Sequence, residues 1–187
     1  MKILFYFVSL FPKSFFVALV DLYLFLKIYK YFSSYKVTIA NIKIAYPKRN
    51  KSDVELLSKL SIRESIISGF ESIYTWGRNE HEVNKNILRI ENNFLINNLK
   101  DSGLICVSFH NRSVDMLLSW MNSKHTTHSL YKKVKNKALN NFIKDRRESG
   151  LSKCYETTIA GVRHIFSALK NKNIVCFAAD QVPQRGL

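Results

Sequence analysis

The segment Leu104-Ile105-Cys106-Val107-Ser108-Phe109-His110-Asn111-Arg112-Ser113-Val114-Asp115 decides how the rest of the sequence is read. It opens as a short, dense apolar run after Ser102-Gly103, which suits a strand buried on both faces. A helical pattern follows over residues 114–121. Downstream, Leu130-Tyr131 reads as the end of a second strand. Residues 136–148 form a basic helix stopped by Gly150, residues 161–169 another helix, and residues 174–179 a third buried strand. Strands alternating with helices predict an α/β layered fold with a largely parallel sheet.

Upstream of this unit the texture is helical. Residues 3–26 are almost wholly apolar and aromatic, interrupted by Pro12, Lys13 and Asp21. Pro12 divides them into a short lead and a stronger helix over 15–31. Crossing a bilayer takes about 20 apolar residues, so the length suffices, while the two charges are costly near the centre. Two readings stand: a membrane-spanning or embedded anchor over residues 1–31, and a buried or interfacial helix. Lys27, Lys30, Lys36, Lys43, Lys48, Arg49 and Lys51 follow, which places the remainder in the cytoplasm if the segment spans. A helix over 36–45 breaks at Tyr46-Pro47. Ser52 three residues before Glu55 has the capping-box pattern for a helix running to Gly77, and residues 78–86 read as a polar connector.

Composition narrows the partners. The 187 residues are 47% hydrophobic and 13% aromatic, enough to bury a core, which excludes a disordered chain. Against 14 Asp and Glu stand 29 Lys and Arg, a formal charge of +15 that favours anionic partners. Cys106, Cys154 and Cys176 form no CxxC pair and read as reduced, small core residues of a cytosol-facing domain.

His110 and Asp115 are the candidate catalytic residues. Strand ends in parallel sheets are where ligand crevices form. A histidine there can take a proton from an attacking hydroxyl, and a carboxylate folded back over the turn can fix its tautomer. With five His and six Asp in the chain, chance alone gives such a spacing in about one sequence in six. Placement at a strand-to-helix junction raises its weight.

The pair resembles the His-x4-Asp/Glu motif of glycerolipid-type acyltransferases, and the surroundings resemble the lauroyl/myristoyl lipid A acyltransferase family. Asn41-Ile42-Lys43-Ile44-Ala45-Tyr46-Pro47 is similar to that family's Asn-Leu-x-x-Ala-Phe-Pro, and Glu71 and Trp76 echo its acidic and aromatic helix positions. The stretch from Leu130 to Asn136 resembles Tyr-Arg-Pro-x-x-Asn. Arg146-Arg147-Glu148-Ser149-Gly150 resembles Arg-x-x-x-Gly, and Ala179-Asp180-Gln181-x-Pro183 resembles Asp-Gln-x-Pro. Lys132 stands where arginine is usual, which turns a bidentate grip into a point charge.

The resemblance implies a glycerolipid-acyltransferase-like domain over 32–187 and transfer without metal or cofactor. His110 would deprotonate a hydroxyl of a lipid A precursor for attack on the thioester of acyl carrier protein, with Asp115 orienting His110. Lys132, Asn136, Arg146, Arg147 and Asp180 would handle substrate. It also implies the bacterial inner membrane, with the catalytic part facing the cytoplasm. An acidic carrier and an anionic glycolipid both suit the charge. Family members continue past residue 187, so the sequence is expected to be an N-terminal portion. The alternatives are another lysolipid or glycolipid acceptor, or an inactive membrane-bound remnant.

Other patterns are weaker. His125-Thr126-Thr127-His128 lacks further ligands nearby and reads as a polar loop. His164 reads as structural. The basic run over 132–137 has no nucleic-acid-binding motif around it, so a solvated or lipid-facing strip is expected and no nucleic acid.

Overall fold

Pro12 shapes the N-terminus. The computed structural model describes residues 2–97, 102–110, 112–148 and 150–180. Helix α1 (Lys2–Leu10) stops short of Pro12, whose fixed φ of −64° opens α2 (Lys13–Phe25), and the two helices meet at 88°. The single helix expected over 15–31 is broken. Helix α2 ends at Phe25, Lys27 turns left-handed (φ 56°), and a 3₁₀ turn covers Ile28–Tyr31. No single helix among the described residues is long and apolar enough to cross a membrane. The bent α1–α2 pair meets the length and composition of a broken span.

Helices α3 (Ser33–Ala45) and α4 (Lys51–Gly77) follow. The cap of α4 is Asn50 rather than Ser52: Asn50 Oδ1 accepts the Asp53 amide at 2.8 Å, and the Ser52 hydroxyl donates to the same oxygen. The helix starts two residues earlier because Asn50 already offers an acceptor to the orphan amides. Helix α4 is the mast on which the N-terminus is stepped. It neutralises both charges of the apolar segment, Lys13 with Glu71 (2.7 Å) and Asp21 with Arg63 (2.6 Å). Phe16 stacks on Phe70 at 4.2 Å, within a core built on Val20, Leu24, Tyr29, Tyr35, Ile62 and Ile67. The outer side stays apolar and bare, with Ile3, Leu4, Phe7, Phe25, Leu26 and Tyr31 exposed.

Helix α1 crosses the end of α4 at Gly77. A Cβ there would lie 2.5 Å from the Phe5 carbonyl oxygen, a backbone atom that cannot swing away. We expect Gly77→Ala to cost about 1–3 kcal/mol by forcing the helices apart. The readout is faster proteolysis within α1, and unchanged cleavage there would refute the tight crossing.

The expected polar connector contains a short helix, α5 (Glu80–Asn84), opened by a reciprocal capping box between Asn79 and Glu82. A single turn, α6 (Phe94–Asn97), precedes the sheet. Its strands are β1 (Leu104–Ser108), β2 (Thr127–Tyr131), β3 (Lys153–Glu156) and β4 (Ile174–Ala178). They run parallel in the order β1-β4-β2-β3, as an α/β fold requires. Helices α7 (Val114–Lys124), α8 (Lys137–Arg147) and α9 (Ile159–Lys170) link them. Thr127 and His128, expected in a loop, are buried strand residues; the strand begins earlier because β4 and β3 pair with it on both sides.

The two sheet faces differ in bulk. One packs Leu130, Tyr155, Val175 and Phe177 against Ile165, Ala168 and Leu169 of α9. On the other, the register aligns Cys106, Cys176, Ser129 and Cys154 in a row across all four strands. Small side chains in that row leave open space beneath α7.

Candidate active site

That space is a cavity of about 490 Å³, the size of small-molecule sites. Cys106, Ser129 and Cys176 line it from the sheet, and Leu117, Leu118 and Met121 from α7. His110, Asp115, Ser72 and Arg147 give it a polar end. Cys106 and Cys176 are therefore half-buried cavity groups rather than core filler, while Cys154 is buried; all three are free thiols. The Cys176 thiol beside Cys106 pulls the Cys106 pKa down to about 7.

His110 lies two residues beyond the end of β1, and Asp180 two beyond β4. Because Ser108 pairs with Ala178 in neighbouring parallel strands, both emerge at one edge. Asp180 grips His110 twice: Oδ1 lies 2.7 Å from the imidazole Nδ1, and Oδ2 accepts the His110 amide at 3.0 Å. The hydrogen bond from His110 holds the Asp180 carboxyl below its ordinary value. Against an ionised carboxylate Nδ1 carries the proton, which leaves Nε2 as the basic nitrogen.

Asp115, expected to orient His110, makes its side-chain hydrogen bonds to other groups. It stands in the first turn of α7, where helix dipoles favour a carboxylate. Its Oδ1 takes Arg147 Nε at 2.8 Å and its Oδ2 the Ser72 hydroxyl at 2.9 Å. The carboxylate paired with the imidazole is Asp180, because strand register, not helical spacing, sets what meets His110. Arg147 also lies over the Trp76 ring at 5.9 Å. Its two terminal nitrogens have no hydrogen-bond partner among the described residues.

The remaining expected site residues lie outside the cavity lining. Lys132 is exposed beyond β2, and Asn136 uses its side chain to cap α8 at the Leu139 amide. Arg146 covers the Phe142 ring. His164 stacks on Tyr155 at 4.8 Å, as a structural histidine would. Asn111, Ser149, Gln181 and Pro183 fall outside the described residues. No cluster of three or more metal-ligating side chains occurs among the described residues.

Sequence reasoning passed over the support beneath the turn. Glu71 is buried, and burial would raise its pKa. Hydrogen bonds from Arg112, Lys13 and Ser113 outweigh this and lower it. A carboxyl depressed in the folded state stabilises above its ordinary pKa and loses that contribution as pH falls through the lowered value. Both Glu71 and Asp180 thus hold their partners throughout the neutral range and release them only in acid.

The sequence matches the family model described as bacterial lipid A biosynthesis acyltransferase over residues 2–186. The chain belongs to this family. A search of curated proteins gave no match. Membership in the lipid A acyltransferases supports a transferase role, with an acyl donor and a lipid acceptor. It also agrees with association at a membrane, which the bare apolar side of α1 and α2 suits.

Proposed function

We propose that the protein moves a fatty acyl chain from acyl carrier protein to a hydroxyl of a lipid A precursor, at the cytoplasmic face of the bacterial inner membrane. The observation that carries this reading is the His110–Asp180 pair at the polar end of an otherwise apolar cavity. Nε2 of His110 takes the acceptor hydroxyl's proton, and the oxygen attacks the thioester carbonyl. The carbon–sulfur bond breaks, and the departing carrier thiolate takes the proton from the imidazolium. Arg147, held by Asp115 and Trp76, offers its terminal nitrogens to the developing oxyanion or to a phosphate of the acceptor. Residues 1–31 serve as the membrane anchor, bracketed by the basic residues that follow.

The test is incubation of membranes containing the protein with radiolabelled acyl carrier thioester and either a lipid A precursor or a lysophospholipid. Label should enter the lipid A precursor. Label entering only the lysophospholipid would replace the acceptor in this proposal.

A further inference from the structure

Glu71 touches no cavity wall, yet it joins three parts of the protein. From α4, its Oε1 accepts Lys13 Nζ at 2.7 Å and Arg112 Nη2 at 2.9 Å. Its Oε2 accepts the Ser113 hydroxyl at 2.6 Å and Arg112 Nε at 3.3 Å. Arg112 also pairs with Glu64, two turns earlier on the same face of α4. Lys13 begins α2, the helix whose outer side carries the exposed Phe15, Leu19 and Leu22. Arg112 and Ser113 stand between His110 and Asp115.

The backbone at Ser113 is the second observation. Its φ of 63° and ψ of 28° lie in the left-handed region, which costs a residue with a Cβ about 1–2 kcal/mol. Such a conformation persists only where its surroundings impose it. Ser113 precedes α7 but makes no side-chain cap to it; its hydroxyl goes to Glu71 instead. The strained residue is thus clamped from another element, at the one place where the chain turns from the imidazole to the carboxylate that holds Arg147.

We propose that Glu71 is a positioning residue for acyl transfer, one that clamps Arg112 and Ser113 and so sets His110 and Asp115, with Lys13 tying the clamp to the bilayer-facing helix. This rests on reading His110 as the base. A buried carboxylate that binds Arg112 and Ser113 as well as Lys13 does more than fasten α2. Its geometry divides between the two sides of the turn and the start of α2, which is what alignment of one against the other requires.

The test uses the full chain in phospholipid vesicles, with acyl carrier thioester and lipid A precursor, measuring kcat, KM for the donor, and thermal melting. Glu71→Gln, which keeps the shape but not the charge, should lower kcat by roughly tenfold to a hundredfold with KM within about twofold. Ser113→Ala keeps the backbone cost and loses the clamp, so it should lower kcat in the same way. Ser113→Gly adopts the left-handed conformation without penalty and should recover most of that loss. Equal kcat in Ser113→Ala, Ser113→Gly and wild type overturns the proposal, as does a kcat loss in both Ser113 variants that follows the loss in melting temperature. The Ser113 pair decides the matter even if Glu71→Gln fails to fold. His110→Ala, run alongside, tests the base itself: activity retained there sinks the mechanism above, whereas a normal loss there with inert Ser113 variants sinks only the clamp.

Discussion

His110→Ala should lower acyl transfer by about 10²–10⁴-fold, the usual cost of losing a positioned general base. The side chain is partly exposed beyond a strand end, so the folded protein should survive the change. The sharper experiment is the comparison of two carboxylates. Asp180 holds the imidazole at Nδ1 and the His110 amide together. An asparagine there offers a neutral amide, which stabilises neither the imidazolium nor a single tautomer, so Asp180→Asn should approach the loss seen for His110→Ala. Asp115→Asn should cost less, because Asp115 acts on Arg147 rather than on the imidazole. The reverse order, with Asp115→Asn severe and Asp180→Asn mild, would restore the His-x4-Asp pairing and refute the one seen here. Catalytic rates of purified variants, each normalised to folded protein, supply the check.

The Asp115–Arg147 pair carries the second large effect. Asp115 is 8% exposed and Arg147 28%, so removing the carboxylate alone leaves a cation in a largely apolar wall. Asp115→Leu should destabilise the protein by about 3 kcal/mol, with Arg147→Met milder because a carboxylate already held by Ser72 keeps one donor. Replacing both together removes the desolvation problem along with the attraction, so Asp115→Leu/Arg147→Met should melt near the wild-type temperature. Transfer activity should stay low in this stable double variant, since the guanidinium is gone from the cavity. Activity returning along with stability would reduce the pair to a structural fastening.

Two strands are legible as dense apolar runs, Leu104–Ser108 and Ile174–Ala178, and a third only by its end at Leu130-Tyr131. The first two lie side by side, and Val175 is fully buried, but Ile105 and Val107 are 52% and 62% exposed: β1 is an edge among the described strands, not the buried strand its composition predicts. Strand β3 escaped because Lys153-Cys154-Tyr155-Glu156 is four residues long and charged at both ends, as an edge strand can afford to be. Helix α5 is not legible because four polar residues around a single apolar one, Val83, give no period to read; its signal is the Asn79…Glu82 capping box.

The site was legible in parts and misjoined between them. His110 and Asp180 are both candidates in the sequence, but the local spacing pairs His110 with Asp115, whereas in the structure Asp180 lies against the imidazole. The missing information was strand order. Only adjacency of β1 and β4 brings residues 70 positions apart into contact, and sequence period carries no adjacency. One clue was present: histidine and aspartate each stand two residues past a buried run of similar length. Glu71 was noticed for its type and not for its task, because its partners come from α2 and from the segment before α7.

The strand order also imposes a timetable on synthesis. Strand β4 sits between β1 and β2 but is translated after both. Until it emerges from the ribosome, β1 has no neighbour among the described strands, and His110 waits without the carboxylate that fixes its proton. The apolar N-terminal helices α1 and α2 are therefore synthesised long before the His110–Asp180 pair can form. Of the four described strands, the last to be synthesised is the one that completes the pair.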